Sequence, residues 1–547
     1  MNLTLWNTSL RYLQFAGFAM LTVALPFSNF LMSFAMFWLL GVLVCSIATD
    51  VLTKQPLKRR WNRLKQNSNT LALIALFLLP CVGLLWTTDY DYASWDLRMK
   101  LPILALPVLF ALLEPLTQGQ FRALIGLFIV SVTAAVVWCL KVYWLQEVPR
   151  EDDVRNISVF ISHVRFSLLI ALALGLLVRF AHNTWQGIVL IGLVALPSLY
   201  FIYIIGSVTG VIVLMALLLW VIIRQIAGQQ SAFKKILYTV VLVVAVAAPL
   251  YFTQRAYEAY FNVPQLDWKN LEKTTTNGES YIHHEEYPFI EDGHYVMTHI
   301  AWGELYDAWY TRSVIHLDSL DGRGHVLKGT LIRYMASKGL HKDREGVAAL
   351  SNDDVKAIER GVPTILDNQK TGLSKRLDRI FFEWSNYRAG GDPNGHSVLQ
   401  RWEFWKTGWS IAKANWLFGV GTGDVKSSFR QAYIDQQSPL QPQFRLRAHN
   451  QYLTMWITYG VVGLIIFLII LIWPLLHGYR RDPNYIMFFI LAALSFLTED
   501  TLESQAGVMF FAYFYALFTT ERSLSLQELV RSKSPKNRPS SDGNSHK

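Results

Sequence analysis

The stretch QGIVLIGLVALPSLYFIYIIGSVTGVIVLMALLLWVII, residues 186–223, runs without one charged side chain. A helix needs about 20 apolar residues to cross a bilayer, so this stretch holds two spans, with the small pair Gly206 and Ser207 at their junction. Working outward, comparable runs lie near 10–28, 30–52, 70–86, 101–114, 123–143, 158–180, 237–254, 451–476, 485–498 and 507–519. With 186–206 and 208–223 they make about twelve spans. Hydrophobic residues make up 52% of the 547 and charged ones 16%; soluble domains stand nearer a quarter charged, so lipid is the expected solvent.

The net charge of +10 sits in short loops between apolar runs rather than on a face that nucleic acid would cover. Lys54, Lys58, Arg59, Arg60, Arg63 and Lys65 fill one loop, Arg224, Lys234 and Lys235 another, Arg480 and Arg481 a third, and Arg522, Arg531, Lys533, Lys536 and Arg538 the tail. Alternation places all four on one side, the cytoplasm by the positive-inside rule. The opposite loops carry Asp89, Asp91 and Asp96, then Glu151, Asp152 and Asp153, then Glu499, Asp500 and Glu503. Cys45, Cys81 and Cys139 all lie in apolar segments, so neither a disulfide framework nor a thiolate metal site is implied. The first run is followed at once by another and lacks a small-residue cleavage site, and is read as a retained helix.

The expected organisation is an all-α polytopic membrane protein. A bundle of about nine helices occupies 1–254, a large, mainly helical extracytoplasmic insert 255–448, about three more helices 449–520, and a disordered cytoplasmic tail 521–547. Within the insert, Ser351 and Asp354 read as a capping box for a helix through Glu359, stopped by Gly361 and Pro363. Thr330–Lys338 and Ser374–Tyr387 read as two more helices. Val398–Asn415 reads as a helix on which Trp402, Trp405, Trp409 and Trp416 share a stripe about 60° wide, suited to a lipid interface.

The candidate chemistry gathers where the insert re-enters the membrane, at His449 and Asn450. On a regular helix Gly460 falls about 20° from His449, and Gly463 and Trp456 within about 40°, which puts the imidazole at the outer mouth of a glycine-lined groove. On spacing alone, a structural role for His449 stays open beside a catalytic one. Arg165 lies about 10 Å inside the sixth span and faces either a polar cavity, shared with His163, or the outer interface by snorkelling. Glu503, with Glu499 and Asp500, either orients the histidine or a sugar hydroxyl, or belongs to a solvated loop. Gly419, Gly421 and Gly423 form either a nest of amides for phosphate or a flexible turn, and they lack the Lys and Ser/Thr of an ATP-binding loop. His283, His284, Glu285 and Glu286, with His294 and His299, have no HExxH spacing and no metal is assigned.

His449 and Asn450 followed by nine residues, Gly460, two residues and Gly463 resemble the motif of the O-antigen ligase and polymerase superfamily. Trp416–Asp424, WLFGVGTGD, is similar to that family's glycine-rich motif, and Arg401 precedes it as a family arginine does. The specific motifs occupy about 398–463, and O-antigen ligase is the member most resembled. The resemblance implies a GT-C-like glycosyltransferase of the bacterial inner membrane with its site facing the periplasm and no cofactor. Its donor would be an undecaprenyl-diphosphate-linked glycan and its acceptor the lipid A core, with membrane lipid around it and no nucleic acid.

Such a transfer needs a base for the acceptor hydroxyl and cations for the departing diphosphate. An imidazole, with its ordinary pKa of about 6.5, is a suitable base at neutral pH, and guanidinium groups hold phosphate oxygens without a metal. His449 is therefore the expected base, Arg401 with Arg165 the expected clamp, and Asn450, Arg447, Gly421, Gly423 and Glu503 further substrate-binding candidates; Arg445 is an alternative to Arg447. Where family members carry an arginine after serine at a span junction, this chain reads Gly206, Ser207, Val208, Thr209, Gly210. That leaves the clamp to Arg165 or to a basic residue of the insert. A polymerase of the same superfamily, a protein O-oligosaccharyltransferase and a transporter are the competing classes. Against the transporter stand the absence of repeated halves and of interrupted helices at the midplane.

Overall fold

Lipid offers no partner to backbone N–H and C=O groups, and an apolar chain satisfies them internally by forming helices. The computed structural model describes residues 3–145, 154–182, 184–263, 265–367, 372–388 and 390–532. All twelve apolar runs lie on helices. Before the insert these are α1 (Leu3–Ala24), α2 (Asn29–Leu52), the short basic α3 (Lys58–Gln66), α4 (Ser68–Val82), α5 (Tyr90–Leu112), α6 (Gln118–Trp144), α7 (His163–Ala181), α8 (Trp185–Ile204), α9 (Val208–Gly228) and α10 (Ala232–Phe261). The insert contributes α11 (Trp302–Tyr310), α12 (Leu327–Ser337), α13 (Arg344–Ala348), α14 (Asn352–Glu359), α15 (Gly372–Arg388), α16 (Ser397–Ala414) and α17 (Val425–Asp435). The chain then returns through α18 (Gln451–Leu476), α19 (Pro483–Thr498) and α20 (Gln505–Ser532).

Eight described helices, α2, α4 with its extension to Trp86, α6 to α10 and α18, are long and apolar enough to cross a membrane, and α19 is a shorter apolar helix. The chain is an all-α multi-pass membrane protein. Of the other expected spans, α5 carries Asp91, Asp96, Arg98 and Lys100 together with Pro102 and Pro107, which is why it reads as only half apolar. The acidic loop at Glu151, Asp152 and Asp153 and the tail from 533 lie outside the described residues, and α20 itself continues to Ser532.

Local chemistry sets the helix ends. Ser28 accepts from the Leu31 amide to begin α2, Thr117 and Gln120 cap each other's amides at α6, and Asp482 with Pro483 opens α19. One large core runs through the bundle, with α20 supplying Phe510, Phe511, Tyr513, Phe514, Tyr515 and Phe518. In lipid such packing gains dispersion contacts rather than escape from water. At the basic loop Arg60 is drawn inward, donating to Asp50 at 2.5 Å, to the Leu112 carbonyl at 2.5 Å and to Ser46 at 2.7 Å.

The insert has its own core, built on Trp309, Leu331, Met335 and Ile358. The Ser351–Asp354 capping box is formed, and α12, α14, α15 and α16 occupy the expected stretches. A two-residue hairpin pairs Glu291 with His294, and Arg333 clasps the Glu291 carboxylate through two hydrogen bonds of 2.7 and 2.6 Å while lying over the Phe382 ring of α15. A third, smaller core joins α16 and α17 to α18 through Phe404, Ile411, Phe429, Tyr433, Ala448 and Ile457.

Three insert segments meet at Ile300, which bridges to Ile282 on one side and Lys342 on the other, and each brings a histidine. The His299 ring stacks on His341 at 4.2 Å and meets His283 edge-on at 4.7 Å, with Tyr281, Asp343 and the buried Lys342 around them. Burial, then His341, His283 and Lys342, push His299 down from 6.5 to about 4, with Asp343 opposing. The unfolded chain therefore takes up this proton first, and the insert's stability is full above pH 6.5 and falls as the pH drops toward 4. Protection factors for hydrogen exchange of residues 281–300 in the whole protein, corrected for the intrinsic rate at each pH, should fall over that window, and His299→Gln should flatten the dependence.

Candidate functional site

The site is built on the six-residue loop between α19 and α20, whose three carboxylates each take a different hold. Asp500 accepts from the backbone N–H of His449 at 3.0 Å, from that of Asn450 at 2.9 Å and from the Thr454 hydroxyl at 2.8 Å. It pins the re-entry point of the chain. His449 is thereby held at φ +47°, and Asn450 is extended and caps α18 by accepting from the Leu453 amide. The Asn450 amide nitrogen donates to the Leu497 carbonyl at 3.1 Å.

Glu499 faces the chemistry. One oxygen takes a 2.5 Å ion pair from Arg401 of α16, and the other lies 3.7 Å from His449 Nδ1. That second distance is an ion-pair contact rather than a hydrogen bond, and Nδ1 is buried without a hydrogen-bond partner. Burial pushes the Glu499 carboxyl up, but the His449 imidazole, Arg401 and Arg165 outweigh it, so the group stays ionised below the usual carboxylate range. Phe404, one turn from the same helix, sets its ring 5.6 Å from the imidazole. Arg165 is half-buried in the first turn of α7, electrostatically coupled to Glu499 and without a hydrogen bond or ion pair to any described residue.

Glu503 points the other way, into the bundle. It pairs with Lys100 of α5 at 3.0 Å and with Arg447 at 3.0 Å, and accepts from Gln451; Lys100 also meets Asp96 at 2.8 Å, and Arg447 donates to the Tyr92 hydroxyl at 3.0 Å. Burial pushes Glu503 up, and Arg447 and Lys100 hold it below the usual range. Burial likewise lowers the Arg447 guanidinium, but Glu503, then Tyr92 and Asp500, more than reverse this. Arg447 and Glu503, expected to bind substrate, are paired with each other in the structure. Arg445 is also occupied, donating to the Leu440 carbonyl at 2.7 Å.

The glycine motifs differ most from expectation. Helix α18 begins at Gln451, after His449, and Gly460 interrupts it at φ +68°, ψ −172°, so helical arithmetic from His449 does not apply. The close neighbour at the kink is the loop 416–424, not a helix. Val420 donates to the Ile457 carbonyl at 2.9 Å, Gly421 to Thr458 at 3.0 Å, and Val461 back to Trp416 at 2.8 Å. A Cβ on Gly460 would stand 2.0 Å from the Leu417 carbonyl oxygen. Gly423 donates to the Thr87 hydroxyl at 2.6 Å, and a Cβ there would meet the Asp89 oxygen at 2.0 Å. The amides of Gly419, Gly421 and Gly423 all have protein acceptors, so the phosphate nest expected of them is not formed. Asp424 closes the joint, accepting from the amides of Thr88 and Asp89.

Residues 357–468, the stretch that holds Arg401, the glycine loop, His449 and the kinked helix, match the family model described as O-Antigen ligase. The chain carries an O-antigen ligase family domain. A stretch of 121 residues, 22% of the chain, is 25% identical to an uncharacterized protein of Haemophilus influenzae and spans 30% of that protein's length.

Reading the sequence missed Lys100, Tyr92, Gln451 and Phe404. Lys100 carried a signal, since it follows Asp96 by four residues at the edge of an apolar run, where a charge needs a partner. The basic insert residue found at the Gly206–Ser207 junction is Arg376 of α15, whose Cβ, like the Gly372 carbonyl oxygen, lies 3.3 Å from where a Cβ on Gly206 would stand. His163, expected beside Arg165, begins α7 and accepts from the Ser167 hydroxyl through its carbonyl.

Gly460→Ala should strain the left-handed backbone and collide with Leu417, destabilising the protein by about 3 kcal/mol or more. Thermal unfolding in detergent measures this, and an unchanged midpoint would contradict the docked loop.

Proposed function

We propose that the chain is a membrane glycosyltransferase that moves a glycan from undecaprenyl diphosphate to the lipid A core, an O-antigen ligase reaction facing the periplasm of a bacterial inner membrane. The observation that carries this reading is the convergence of His449 and Arg401 on one ionised carboxylate, Glu499, inside the segment matched by the family model. A base, the group that orients it and a cation for an anionic leaving group stand together, as transfer without a metal requires.

In this mechanism Glu499 favours the tautomer with the proton on Nδ1, leaving the Nε2 lone pair free to take a proton. An acceptor hydroxyl held at Nε2 attacks the anomeric carbon of the donor sugar. The new glycosidic bond forms as the bond to the diphosphate oxygen breaks, the hydroxyl proton passes to Nε2, and the configuration inverts. Arg401 donates to Glu499 through Nη2 and has further N–H donors for the diphosphate; Arg165, with no hydrogen bond or ion pair to a described residue, adds a second guanidinium. Asn450 sets the backbone from which the imidazole projects.

Purified protein supplied with undecaprenyl-diphosphate glycan should form product with the lipid A core, and not with a second lipid-linked glycan or a peptide; product with either of those instead would replace this acceptor. His449→Ala should reduce transfer by at least about a thousandfold with expression intact, and near-normal turnover would remove it as the base. Arg401→Lys should lose about tenfold or more, because a point charge does not reproduce the planar fork; unaltered kinetics would count against the clamp.

A further inference from the structure

Helix α15 of the insert presses its first turn on the junction of α8 and α9. A Cβ on Gly372, its first residue, would lie 2.4 Å from the Tyr203 carbonyl oxygen, and Arg376, one turn later, packs its Cβ against Gly206. Both glycines are left-handed, at φ +58°, so the contact is backbone against backbone.

From that contact the Arg376 side chain reaches to the start of α16. Its Nη2 donates to the Ser397 hydroxyl at 2.5 Å, and its Nη1 lies 3.8 Å from Glu383, a carboxylate only 1% exposed. Glu383 in turn accepts from the Val398 amide at 3.0 Å. Two charged groups thus hold the first turn of α16, and one turn on, α16 delivers Arg401 to Glu499. The same junction reaches the site by a second route. Ser207, beside Gly206, accepts from the Ser167 hydroxyl at 2.9 Å, and Ser167 stands two residues from Arg165 on α7. Helices bearing both guanidiniums that flank Glu499 are therefore referenced to the place where Arg376 sits.

We propose that Arg376 is a positioning residue for the transfer reaction, holding the start of α16 against the α8–α9 junction and so fixing where Arg401 meets Glu499. The proposal rests on the glycosyltransferase reading for its kinetic consequence but not for its structural one. Arg376 acts through Arg401 and makes no contact with the base.

The test uses the full chain in detergent, with undecaprenyl-diphosphate glycan and lipid A core as substrates and hydrogen exchange over 397–402 as a second readout. Arg376→Ala should lower kcat/KM by about tenfold and accelerate exchange at Val398, and Arg376→Lys should restore part of both. In an Arg401→Ala background, Arg376→Ala should add less than twofold, because the two substitutions break one arrangement. Ser397→Ala, which removes a single hydroxyl, should give a smaller effect in the same direction should Arg376→Ala fold poorly. Wild-type rate and exchange in Arg376→Ala, or full multiplication of its rate loss with that of Arg401→Ala, would overturn the proposal. If the wild-type protein transfers nothing but exchange at Val398 still depends on Arg376, the functional reading fails and the latch stands.

Discussion

The arrangement depends on the rule that a charge withdrawn from water must meet its opposite. Glu499, Asp500 and Glu503 all sit at the end of an apolar helix, where an unpaired carboxylate would cost several kcal/mol. Each is answered by a different element: Arg401 and His449 for Glu499, the amides at the start of α18 for Asp500, Lys100 and Arg447 for Glu503. The pairings pull α5, α16, α18 and the loop before α20 to one point. They also sort the charges: Lys100 and Glu503 are enclosed, and those around Glu499 border an imidazole that is a third exposed.

The kink in α18 follows from a different constraint. A helix spanning lipid keeps its own backbone bonds, and breaking it frees carbonyls that need new donors. Here Ile457 and Thr458 turn theirs to the amides of Val420 and Gly421, and the freed amide of Val461 finds Trp416. The loop and the kink complete each other's hydrogen bonding, which holds α16 against α18 and lets Phe404 back the imidazole. Glycine at 419, 421, 423 and 460 is required by how closely these backbones approach.

This explains what the sequence disclosed and what it withheld. Apolar length announces a membrane helix, because nothing else satisfies twenty consecutive amides in lipid, and eight of the twelve expected spans are described helices long and apolar enough to cross. Insert helices with a capping box or a left-handed glycine at the end were legible too, as at Ser351 and Gly339. Local pattern does not encode which distant charges meet. Arg447 and Arg401 look alike along the chain, yet one pairs with Glu503 and the other reaches Glu499 across 98 residues. Helical periodicity does not carry from His449 to Gly460 because α18 begins only at Gln451 and Gly460 breaks it to receive a loop.

The insert and the bundle have separate cores; the carboxylate loop is anchored in the bundle core through Leu502, while Arg401 arrives on α16 from the insert. The site's precision therefore depends on the few elements that belong to both. Helix α16 shares the third core with α18, and α15 touches both the hairpin that Arg333 clasps and the α8–α9 junction. A displacement of about 1 Å at a reacting centre can cost a hundredfold in rate, whereas buried ion pairs have discrete partners and resist gradual drift. Charged joints at Glu383, Glu499 and Glu503 thus give a seam between two separately packed bodies a register that apolar contact alone would leave loose.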